Sequence, residues 1–186
     1  MHLLDVCLFM MATVPTLAED EEAVAAGASL RDLYRQHRSS LVVLASLLLR
    51  DPADAEEVVQ DAFVKAHLAW GRIRDPEKAL PYLRSAVLNG ARSRLRHRRV
   101  VDRAAPTRPG SSESAEAAAL ASEERRLMVA GLRALPDRQR ECLALRYYLG
   151  LSEAEIAATL GVSPGSVKTH THRGLLALAA RLEPTP

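Results

Sequence analysis

Two stretches of this chain carry side chains suited to gripping a polyanion, and neither carries the means to cleave one. Between Leu83 and Arg99 stand six arginines, Arg84, Arg92, Arg94, Arg96, Arg98 and Arg99, with no acidic residue between Glu77 and Asp102. A guanidinium row with no acid in its own segment repels itself unless a polyanion neutralises it, which points to phosphate contact. Nearer the C-terminus, Gly165, Ser166, Lys168, Thr169, His172 and Arg173 fall on one side of a helical pattern whose other side holds Val167, Thr171, Leu175 and Leu178. Hydroxyl, ammonium and guanidinium groups near a helix N-terminus are those that reach base edges and phosphates in the major groove. Catalysis has no comparable footing. His37, His67, His97, His170 and His172 do not cluster with acids or cysteines at ligand spacing, and no Gly-rich phosphate loop or nucleophile motif is present. No enzyme activity, cofactor or metal is expected.

A third stretch has the opposite sign. Asp54, Glu56, Glu57 and Asp61, with Gln60, lie beside Val58 and Phe63. Such a face repels phosphate, so in a nucleic-acid-binding protein it should meet another protein. For Asp54 alone, the dipole at a helix start is sufficient explanation.

The elements that position these groups read as helices throughout, so the expected fold class is all-α: two small helical domains joined by a flexible linker. A first helix begins near Ser29, which can cap it, and carries Leu33, Tyr34, Leu41, Leu44, Ala45 and Leu48 on one face. Asp51 and Pro52 stop it and start a second helix, burying Ala55, Val58, Val59, Ala62, Phe63 and Ala66 and ending by Gly71. A third starts after Asp75-Pro76 or after Pro81 and runs to about Arg99. Leu83, Val87, Ala91 and Leu95 form its buried stripe, with Arg92, Arg96 and Arg99 along another face.

Residues 102–116 have two prolines, a glycine and three serines without apolar periodicity, and read as the linker. The expected division is a disordered extension over 1–28, a first domain over 29–101, the linker over 102–116 and a second domain over 117–183. That second domain opens with a helix over Ala115 to Ala134. Leu135-Pro136-Asp137 breaks it, and another helix runs through Arg140, Leu143, Leu145 and Tyr148 to Gly150.

Ser152 and Glu155 then form a capping box that opens a short helix with Ile156, Ala157 and Leu160 inward. Gly161 ends it, Val162 packs into the turn, and Ser163-Pro164 starts the next helix at once. Helices so close must cross steeply, which calls for a small residue at the contact (Ala157), a turn glycine (Gly161) and a branched residue facing them (Val167). This is the helix-turn-helix pattern, so the second domain is expected to end in one.

The whole chain has 186 residues, 48% of them apolar and 26% charged, which excludes a large multi-domain enzyme and a wholly disordered chain alike. Its net charge of +2 is unevenly spread: residues 29–103 hold 15 basic and 9 acidic residues, whereas residues 1–28 hold 5 acidic and no basic ones. Two cysteines, Cys7 and Cys142, make neither a disulfide framework nor a CxxC site, so a reducing compartment is the default. The apolar run Val6 to Met11 lacks a basic flank and is far shorter than the roughly 18 residues needed to span a bilayer. No membrane insertion is expected, and Met10 or Met11 serves equally well as a start.

Three segments, in order, resemble the extracytoplasmic-function (ECF) group of bacterial RNA polymerase sigma factors. DAEEVVQDAFVKAHLAW is similar to conserved region 2.2, PYLRSAVLNGARSRLRHRR to regions 2.3 to 2.4, and LPDRQRECLALRYYLGLSEAEIAATLGVSPGSVKTHTHRGL to region 4. The likeness spans residues 29 to about 182. It implies a cytoplasmic alternative sigma factor that binds core polymerase through the β′ clamp helices and the β flap, directs promoter-specific initiation, and has room for an anti-sigma partner. By the same resemblance Asp54, Glu57, Gln60, Asp61 and Phe63 meet the clamp helices. Arg84, Asn89, Arg92 and Arg96 engage the minus-10 element, and Ser166, Lys168, Thr169, His172 and Arg173 read the minus-35 element. The linker would thread the polymerase channel. Residues 70–82 correspond to the loop that captures a flipped base, where Leu80-Pro81 is extra. As the chain ends at Pro186, no additional C-terminal domain is expected.

The competing reading is a two-domain helix-turn-helix regulator acting without being a polymerase subunit. It would need a ligand pocket or phosphoacceptor within residues 29–100, where the sequence instead has an arginine-rich helix.

Overall fold

Ser29 opens the first helix, α1 (Leu30–Leu48), through a reciprocal cap: its hydroxyl accepts from the Asp32 amide while the Asp32 carboxylate accepts from the Ser29 amide. The computed structural model describes residues 29–72, 76–104 and 123–182, and among them every regular element is helical. The described residues fall into two compact units, 29–104 and 123–182.

In the first unit, Asp51 caps α2 (Pro52–Ala69) by accepting from the Ala53 amide at 2.9 Å, and Pro52 takes the first helical position, where a missing N–H costs nothing. The buried residues of α2 are Ala55, Val58, Val59, Ala62, Phe63 and Ala66, the face expected from their spacing. Two short 3-10 turns, Trp70–Arg72 and Pro76–Lys78, precede α3 (Ala79–Ala104). α2 packs on both α1 and α3, which also touch each other.

Three expectations for this unit need correction. Tyr34 is 39% exposed and meets the edge of Phe63 with ring centroids 4.9 Å apart, so it borders the core without entering it. Of the two expected starts of α3, the one after Asp75-Pro76 holds, with Pro81 in the first turn where no N–H is needed. The helix passes its expected end at Arg99 and continues to Ala104, no glycine or proline standing in that stretch. The first residues of the expected linker are therefore helical, and the rest of it lies outside the described residues. Finally, Leu83, Val87 and Ala91 are buried but Leu95 is only half-buried, and Leu88 joins the core. Each step of four overshoots a full turn by about 40°, so by Leu95 the stripe has rotated about 120° from Leu83.

The second unit contains α4 (Glu123–Arg133), α5 (Asp137–Leu143), α6 (Glu153–Leu160) and α7 (Pro164–Leu182). The part of the expected opening helix before residue 123 lies outside the described residues. α5 runs on into a π-wound turn, Ala144–Tyr148, which closes with Leu149 N–H on the Ala144 carbonyl and Gly150 at φ +67°. α7 packs on α4, α5 and α6, around a core that includes Leu132, Leu143, Leu145, Ile156 and Leu178. Two charged residues are buried in it. Arg140 donates to the Arg133 carbonyl and to Asp137, each at 2.9 Å, and Glu141 accepts from Arg138 at 3.2 Å.

Candidate nucleic-acid interface

The tight crossing of α6 and α7 is fixed at both ends. At the start of α6, Ser152 Oγ accepts from the Glu155 amide at 3.3 Å and the Glu155 carboxylate accepts from the Ser152 amide at 2.7 Å. At its end Gly161 adopts φ +66°, a left-handed conformation that suits glycine, and Val162 N–H returns to the Ala157 carbonyl. Ser163 Oγ then accepts from the Ser166 amide at 3.2 Å, opening α7. Ile156, Ala157, Leu160 and Val167 are buried where the helices cross.

Gly165, Lys168, Thr169, His172 and Arg173 are exposed along α7, and Ser166 is half-buried. Two of these polar groups are already engaged: the Ser166 hydroxyl lies 2.9 Å from that of Ser163, and Thr169 donates to the Gly165 carbonyl at 2.9 Å. Each keeps lone pairs with which to accept from a base or a bridging water. Sequence reasoning missed Gly174, which is buried. A β-carbon there would sit 3.2 Å from Gln139 Cβ and from Leu143, so the glycine lets α7 approach α5 closely. The only signal was a glycine inside a helical pattern.

On the first unit, α3 does not carry an arginine row free of acids. Arg94 pairs with Asp54 at 3.3 Å and with Glu57, and Arg98 lies 2.7 Å from Asp54 and 3.2 Å from Asp51. Those acids come from α2 and its cap, about forty positions earlier, beyond any local charge pattern. Of the expected minus-10 set, Asn89 and Arg96 are exposed and Arg84 and Arg92 half-buried, with Arg92 donating to Asn89 at 3.1 Å.

The acidic face divides likewise. Gln60 and Asp61 are exposed and the Glu57 side chain is 57% exposed, whereas that of Asp54 is 14% exposed and turned toward α3. Phe63 is buried against Tyr34. Ion pairing thus holds the Asp54 side chain and core packing that of Phe63, so neither projects outward from α2. Val64 and Leu68, 58% and 78% exposed, follow Gln60 and Asp61 along α2. They fall off the buried stripe, which was the sequence signal that could have found them.

Burial pushes the Cys142 thiol up to about 11, Glu141 adding to the effect, and burial pushes the Tyr148 hydroxyl up to about 12. Neither is a reactive group at neutral pH. Among the described residues no cluster of three or more His, Cys, Asp or Glu is placed to hold a metal ion, and no helix is long and apolar enough to cross a membrane.

The model of sigma-70 region 2 matches residues 33–100, and that of sigma-70 region 4 matches residues 125–178. An RNA polymerase sigma-E factor of Streptomyces avermitilis is 32% identical over 152 residues, covering 82% of this chain and 84% of the relative. The chain belongs to the ECF sigma factors. A second member, the ECF RNA polymerase sigma factor SigM of Mycobacterium tuberculosis, is 33% identical over 81% of this chain and 75% of its own. Among solved structures, CnrH in complex with the cytosolic domain of CnrY superposes with a TM-score of 0.65 at 25% identity, covering 88% of this chain and 94% of that one. The sigma factor RpoE of Bartonella quintana, bound to the anti-sigma factor NepR, gives 0.70 at 21% identity, covering 84% and 98%. Membership excludes the free-standing regulator: this sigma factor directs transcription initiation as part of RNA polymerase.

Proposed function

We propose that this sigma factor binds core polymerase through the exposed face of α2 and holds promoter DNA through α3 and α7. The observation that carries the polymerase side is the continuous run of Glu57, Gln60, Asp61, Val64 and Leu68 on α2, acidic at one end and apolar at the other. An acidic rim beside an apolar centre suits a basic amphipathic helical partner, the part the β′ clamp helices would play. The β flap would be met by the second unit. Asp54 and Phe63 support this surface from beneath.

Asn89, Arg92 and Arg96, with Arg84, supply the minus-10 contacts, and Lys168, Thr169, His172 and Arg173, with Ser166, supply the minus-35 contacts. Residues 29–101 and 117–183 are the corresponding functional domains, joined through 102–116. The reading makes the chain an initiation factor with no catalysis of its own, working in the cytoplasm. It also admits an anti-sigma partner, as in the complex of RpoE with NepR.

Co-purification of core polymerase with the variant Glu57→Arg/Asp61→Arg tests the assignment. Both positions are exposed, so the fold should persist while core binding is lost. Unchanged core affinity in the folded variant overturns it.

A further inference from the structure

Arg94 and Arg98 differ from the outward arginines of α3. One helical turn apart, both face α2, where three carboxylates meet them: Arg94 Nη1 lies 3.3 Å from Asp54 and its Nη2 binds Glu57, while Arg98 Nη2 bridges Asp54 at 2.7 Å and Asp51 at 3.2 Å. The cluster is not sealed. The two arginine side chains are 32% and 41% exposed, and Glu57 is 57% exposed. Asp54 and Asp51 are less open, at 14% and 25%, but the Arg94–Glu57 pair is weak and exchanges readily, and a guanidinium finds in phosphate a partner at least as well matched as a carboxylate.

We propose that Arg94 and Arg98 are reserve phosphate ligands, held by Asp51, Asp54 and Glu57 in the free sigma factor and released to the nucleic-acid backbone when a basic partner engages α2. The trigger rests on the polymerase-binding reading of that helix. Glu57 is the shared group, since it bonds Arg94 on one side and lies one turn before the exposed Gln60 and Asp61 on the other. A cation arriving on that face takes Glu57 from Arg94 and weakens the hold on Arg98 through Asp54. The freed arginines extend the basic strip of Arg92, Arg96 and Arg99. Polymerase binding and backbone binding then assist each other by equal factors, as linkage requires.

The test titrates the full chain, without polymerase, against a labelled single-stranded DNA of mixed sequence at several salt concentrations. Asp54→Asn should tighten binding about five- to tenfold at low salt. It should also steepen the log Kobs against log salt slope by about 0.7 to 1.4, the value of one to two added phosphate contacts. Glu57→Gln should give about half that effect, and adding Arg94→Gln should return the slope to wild type. Asp61→Asn removes the same charge outside the cluster and should leave the slope unchanged. Equal steepening by Asp61→Asn, or no steepening by Glu57→Gln, overturns the proposal, and Glu57→Gln carries the test if Asp54→Asn does not fold. Core affinity is read separately. If Glu57→Arg/Asp61→Arg leaves it intact while Glu57→Gln steepens the slope, the phosphate reserve stands and polymerase is not what releases it.

Discussion

Gly90 lies directly against Val58: a methyl group on Gly90 would stand 2.8 Å from Val58 Cγ1. Val58 is buried and stiff at χ1, so it cannot swing aside, and α2 and α3 owe their close approach to the missing side chain. Gly90→Ala gains about 1 kcal/mol of helix propensity but overpacks the contact at a cost of about 1 to 3 kcal/mol. The expected result is a net loss of stability, seen as a fall of several degrees in Tm for the first unit. An unchanged or raised Tm would show that the helices separate without cost.

The turn of the helix-turn-helix offers a second measurement. Ser152→Ala removes one half of the capping box and should cost about 1 kcal/mol. Gly161→Ala forces a side chain into φ +66° and should cost about 1 to 2 kcal/mol. Urea unfolding should place both below wild type, while Glu153→Ala, exposed and outside the cap, should lie within about 0.5 kcal/mol of it.

Alkaline pH should destabilise the second unit. The Cys142 thiol is raised from 9.0 to about 11 and the Tyr148 hydroxyl from 10.0 to about 12, burial being the leading cause for both. Between the unfolded and folded values the folded state keeps protons that the unfolded state has lost. Unfolding therefore releases protons, and stability falls as pH rises above about 9, by at most about 1.4 kcal/mol per pH unit for each group. Cys142→Ala should flatten the decline between pH 9 and 10, whatever its effect on stability at pH 7. An identical slope in the variant would remove Cys142 as the cause.

The exposed side of α7 makes the fourth prediction. Lys168, nearer the helix start, is expected to touch a base edge and Arg173 a phosphate. Lys168→Ala should weaken minus-35 binding by about 1 to 3 kcal/mol on the preferred sequence and little on altered ones. Arg173→Ala should weaken all sequences alike and lower the salt slope by about one unit. Wild-type binding and transcription in both variants, with helicity intact by circular dichroism, would remove α7 as the reader.

What local sequence reveals here is whatever local interactions decide. The buried face of α2 follows from its 3.6-residue spacing beneath an Asp-Pro start, and the α6 to α7 turn from Ser152, Glu155, Gly161 and Pro164, which act on near neighbours. The ion pairs of Arg94 and Arg98 do not show, because their partners arrive from another helix. Nor does the π-wound turn at Ala144–Tyr148, whose residues suit an ordinary helix. The candidate surface on α2 was read from its charge alone, although the spacing that gave the buried stripe also leaves Val64 and Leu68 outside it.

Because Val167, Gly174, Leu175, Leu178 and Ala179 anchor α7 while Lys168, Thr169, His172 and Arg173 face solvent, scaffold and exposed side chains occupy separate positions of one helix. The outward side chains can be exchanged as a set, with no compensating change in the core. If α7 reads the minus-35 element as proposed, a small set of point changes would redirect promoter preference while the fold stays fixed.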